Sequence, residues 1–67
     1  MRNSIKKQLV NLRESRNWTQ TQVARMLNVS QRAYSHYENG TRQVPLEILV
    51  AIADLYHVST DYLLGRG

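Results

Sequence analysis

Only two residues, Asn28 and Val29, separate two segments that both carry helical patterning. From about Thr19 to Leu27, the apolar residues Val23, Ala24 and Leu27 fall on one face. From about Ser30 to Asn39, Tyr34 and Tyr37 share one face, while Gln31, Arg32, Ser35, His36 and Asn39 share another. Both segments begin with capping residues: Thr19 pairs with Gln22 as a capping box, and Ser30 is a good N-cap. So short a connection forces the helices to cross steeply, which is the arrangement of a helix-turn-helix.

The rest of the chain reads as helices as well. A first helix runs from about Ser4 to Arg16, with Ser4 as N-cap and Ile5, Leu9 and Leu12 on its apolar face. Asn17 suits the left-handed conformation that ends it, and Trp18 is placed to staple against Val23. Pro45 fits the first position of a fourth helix that reaches about Tyr56 and is apolar on more than one side. His57 and Val58 form a connector, and a last short helix starts at Ser59 and ends at Gly65. A single proline and three glycines are too few breakers for a turn-rich all-β fold. The expected fold class is all-α: one compact five-helix domain over residues 1–67. Its helix-turn-helix spans about 19–39, and residues 45–64 supply core and a possible dimer contact.

Composition narrows the function. A chain of 67 residues is one small domain that buries about 60% of its unfolded surface, so a cleft between two domains is excluded. With no cysteine there is no disulfide, thiolate metal site or cysteine nucleophile. No apolar run approaches the roughly 20 residues that cross a bilayer, and no apolar stretch follows the basic start as in a signal peptide. A cytoplasmic location is expected. His36 and His57 stand far apart and in no metal-binding spacing, and the acids are scattered. Neither catalysis nor a metal or cofactor is expected.

Charge is distributed unevenly. Residues 1–42 carry eight basic side chains against Glu14 and Glu38, a net +6. Residues 43–67 carry Arg66 against Glu47, Asp54 and Asp61, a net −2. Such asymmetry suits a domain whose first half faces a polyanion.

The stretch QTQVARMLNVSQRAYSHYEN, Gln20 to Asn39, resembles the helix-turn-helix of the lambda-type repressor and Cro family. The wider pattern, from LRESRNW to the closing VSTDYLLG, extends the resemblance over nearly the whole chain. Two residues depart from the family pattern. Asn28 stands where glycine is usual, and asparagine tolerates positive φ. Tyr34 stands where isoleucine or valine is common, and its hydroxyl needs a partner or solvent.

The resemblance implies a transcriptional regulator, a repressor, that binds a two-fold symmetric double-stranded DNA operator as a homodimer. The third helix would enter the major groove, with Gln31, Arg32, Ser35 and His36 toward the bases. Gln31 suits adenine and Arg32 suits guanine, each bidentately. Gln20, Asn39, Thr41 and Arg42 would grip phosphates. Tyr34 would sit half in the core with its hydroxyl toward a phosphate, a purely structural role being the alternative. Arg13 would pair with Glu38 and set the angle of the recognition helix. Tyr62, Leu63 and Leu64 would form the dimer contact, with closure of the monomer core as the alternative. A competing function is a protein-interaction module, an antitoxin or antirepressor-like partner built on the same fold.

Overall fold

Helix α2 (Gln20–Met26) begins at Thr19, whose side chain accepts from the Gln22 backbone N–H while the Gln22 side chain accepts from the Thr19 N–H. It ends at Asn28, which adopts φ 61° so that the Val29 N–H can reach back to the Ala24 carbonyl at 2.9 Å. That return bond satisfies a carbonyl the helix end would otherwise orphan. Ser30 then caps α3 (Gln31–Asn39), accepting from the Ala33 N–H at 3.0 Å. The asparagine turn therefore does the work usually given to glycine.

These elements belong to a computed structural model that describes residues 4–65. Three further helices complete it: α1 (Ser4–Ser15), α4 (Leu46–Tyr56) and α5 (Thr60–Leu63). Ser4 is already part of the helix and so is not the N-cap expected there. Pro45 precedes α4 as its N-cap, with ψ 153°, instead of occupying its first helical position. Its extended ψ is what turns the chain from the loop into the helix.

Helix α3 packs against both α1 and α2, and α5 against α4 and α1. One core joins Leu9, Val23, Ala24, Leu27, Tyr34, Tyr37, Leu49, Ile52, Ala53, Tyr56 and Leu63. Ala24, on α2, is buried in that core. Trp18 finds its aromatic partner in Tyr56, with ring centroids 5.7 Å apart. No described helix is long and apolar enough to cross a membrane.

Candidate nucleic-acid interface

Helix α3 has a buried side and an open side. Tyr34, Tyr37 and Glu38 face inward. Gln31 and Arg32 are exposed in the first turn, Ser35 and His36 are half-buried further along, and Asn39 is exposed at the end. Nine helical residues span about 13 Å, close to the roughly 12 Å width of a B-DNA major groove. The loop that follows leaves Thr41 and Arg42 exposed.

The buried side is held by a polar cluster centred on Glu38. The Arg13 guanidinium grips its carboxylate with two nitrogens, Nε to Oε2 at 2.7 Å and Nη2 to Oε1 at 3.1 Å. The third nitrogen, Nη1, donates to the Trp18 carbonyl at 3.0 Å. Gln20 Nε2 adds a bond to Oε1 at 2.9 Å. One carboxylate on α3 is thus tied to α1 and α2, which sets how α3 projects. Burial works against the charge on Glu38, but hydrogen bonding from Arg13 and Gln20 and the nearby Tyr34 hydroxyl outweigh it. The carboxyl is held below its ordinary range.

The Tyr34 hydroxyl lies close enough to favour that charge, yet falls short of hydrogen-bond geometry with any partner. Burial first, and then the Glu38 carboxylate close to its hydroxyl, push the Tyr34 phenol well above its ordinary value. Burial raises Tyr56 in the same way, and its hydroxyl is also unpartnered.

Several expected site residues take other places. Tyr34 is 0% exposed, so its hydroxyl cannot reach a phosphate; the ring fills space between helices and is core. The Gln20 amide turns inward onto Glu38 instead of presenting itself whole to a phosphate, because the buried carboxylate needs a further donor. Thr41 turns back onto His36: its N–H donates to the His36 carbonyl at 3.0 Å, and its hydroxyl lies 2.7 Å from His36 Nδ1. Leu63 is 0% exposed and closes the monomer core, whereas Tyr62 and Leu64 remain exposed beside it. Successive residues of a single helical turn face different ways, which separates the three.

Two features escaped sequence reading. Arg16 stacks over Trp18 and Tyr56, 5.5 and 5.6 Å from the ring centroids. Its partner Tyr56 is too distant in the chain for any local pattern to disclose it. Leu46 and Val50 leave an apolar strip of α4 open, Leu46 being 74% exposed. Their spacing of four residues marks the strip on one helix face, but only packing tells an outer face from an inner one.

The fold and this outward helix define a helix-turn-helix domain. Residues 9–63 match the helix-turn-helix family, and the chain belongs to its Cro/C1-type branch. It is similar to the HTH-type transcriptional regulator AnsR of Bacillus subtilis, 40% identical over 58 residues, covering 87% of this chain and 50% of AnsR. It is 42% identical over 62 residues to the cryptic phage CTXphi transcriptional repressor RstR of Vibrio cholerae, covering 92% of this chain and 55% of RstR. It is 34% identical over 62 residues to the antitoxin PezA of Streptococcus pneumoniae, covering 92% of this chain and 39% of PezA. The crystal structure of a transcriptional regulator from Listeria innocua superposes with a TM-score of 0.86 at 30% identity, covering 91% of this chain and 57% of that one. The chain spans about half the length of the curated relatives it matches first.

Proposed function

We propose that this chain is the operator-reading domain of a transcriptional repressor. It lays α3 in the major groove of double-stranded DNA and acts as a homodimer on a two-fold symmetric site. The observation that carries this reading is the division of α3: Gln31 and Arg32 stand free in its first turn while Glu38, on its other side, is clamped by Arg13 and Gln20. Base-reading side chains need such a rigid mount, since a helix free to tilt would lose its register in the groove. Arg32 supplies the bidentate fork suited to guanine and Gln31 the amide suited to adenine. Ser35 and His36 extend the reading surface. Asn39 and Arg42, exposed at the far end, hold phosphates, and the second amide hydrogen of Gln20 serves one at the other end. Exposed Tyr62 and Leu64 supply the dimer contact.

Selection of bound duplexes from a random pool at near-physiological salt tests this reading. The expected product is an inverted repeat with half-sites about ten base pairs apart. No enrichment would overturn it. The interaction-module reading, favoured by the similarity to an antitoxin, would then take its place.

A further inference from the structure

A different bond at the end of α3 bears on how the operator is read. His36 and Thr41 are joined side chain to side chain, with Nδ1 and Oγ1 2.7 Å apart across the left-handed turn at Gly40. The same hydroxyl lies 3.4 Å from the His36 carbonyl. A threonine hydroxyl has one hydrogen to give. The carbonyl distance exceeds the usual O–H···O range of about 2.5–3.0 Å, and that carbonyl already accepts the Thr41 N–H at 3.0 Å. The short contact is thus the one between the hydroxyl and Nδ1, and it ties that side of the ring to the loop while Nε2 stays free of it.

We propose that Thr41 is a positioning residue that holds the His36 ring by Nδ1, so that Nε2 is presented to a base edge in one fixed orientation. This rests on α3 being the groove helix and deepens that reading. It gives Thr41 a role in sequence preference in place of a phosphate contact. The turn that makes the bond depends on Gly40. Its φ of 78° would strain any residue with a side chain, and an added Cβ would lie 2.5 Å from Lys6 Cδ, so the lysine would have to move.

The test compares wild type with His36→Ala, Thr41→Val and Thr41→Ser, using the full chain and duplexes carrying every base at each operator position. His36→Ala locates the base pair that the ring reads. Thr41→Val, which keeps shape and removes the hydroxyl, is expected to reduce discrimination at that pair by about fivefold, the worth of one neutral hydrogen bond. It should leave other positions and the salt dependence unchanged, and Thr41→Ser should restore the preference. Uniform weakening by Thr41→Val with a shallower salt slope would overturn the proposal in favour of a phosphate contact. An unchanged preference in Thr41→Val, with His36→Ala still altering one position, would overturn it as well. A His36→Ala protein that alters no position while Arg32→Ala still does would remove the ring from base reading, and the proposal with it. If neither His36→Ala nor Arg32→Ala altered any position, the groove-helix reading itself would fail.

Discussion

At Glu38 a buried carboxylate, 5% exposed, is surrounded by donors from two other helices. Taking such a charge out of water is costly, and only paired hydrogen bonds offset it. Glu38→Ala leaves Arg13 facing inward without its partner and is expected to cost about 3–5 kcal/mol. Glu14→Ala removes an exposed acid and should stay within about 0.5 kcal/mol. Equal melting temperatures for the two variants would refute this assignment. The acid range gives a second check. The folded carboxyl is held below its ordinary value, so its stabilisation is present above the unfolded value and lost as pH falls through the folded one. The stability gap between wild type and Glu38→Gln should be full above about pH 4.3 and close as the pH drops further, as followed by urea unfolding. Arg32 lies on the open side, and Arg32→Ala should cost roughly 1–3 kcal/mol of operator binding and relax preference at one base pair. The pairing of Arg13 with Glu38 could be expected from the resemblance. The Gln20 contact could not, because it depends on where α2 lies over α3.

Among the elements, four of the helix ends share one device. Asn17, Asn28, Gly40 and His57 take positive φ, and the next residue's N–H returns to a carbonyl of the last turn. Three of these residues were legible as helix stops because Asn and Gly tolerate that region. His57 reads from sequence as a connector with a capping or surface role, and the structure makes it the left-handed cap of α4. Its left-handed conformation costs roughly 1–2 kcal/mol, partly balanced by the greater chain entropy a glycine would lose. His57→Gly is therefore expected to stabilise the domain by about 0.5–1 kcal/mol and raise its melting temperature by a few degrees. A lower melting temperature would show that the imidazole makes a contact worth more than the strain. The N-terminal caps at Thr19, Ser30 and Ser59 are local hydrogen bonds between residues three apart, so sequence alone reveals them.

For the whole molecule, the basic first half and acidic second half concern attraction over distances longer than any one bond. Screening by salt limits that attraction to about 8–10 Å near physiological ionic strength, so each phosphate contact has a measurable ionic signature. Arg42→Ala should weaken binding to all sequences alike and lessen the salt slope by about one unit. An unchanged slope would take Arg42 off the phosphate. Periodicity, caps and stops in the sequence were enough to determine five helices, the helix-turn-helix and its outer row of Gln31, Arg32, Ser35 and His36. Those signals act between residues within a turn or two of each other. Tertiary structure alone decided that Tyr34 and Leu63 are core, that Gln20 serves Glu38, that Arg16 lies over two rings, and that Leu46 faces out. Each of these depends on which helix covers which, and that is settled by packing among residues far apart in the chain.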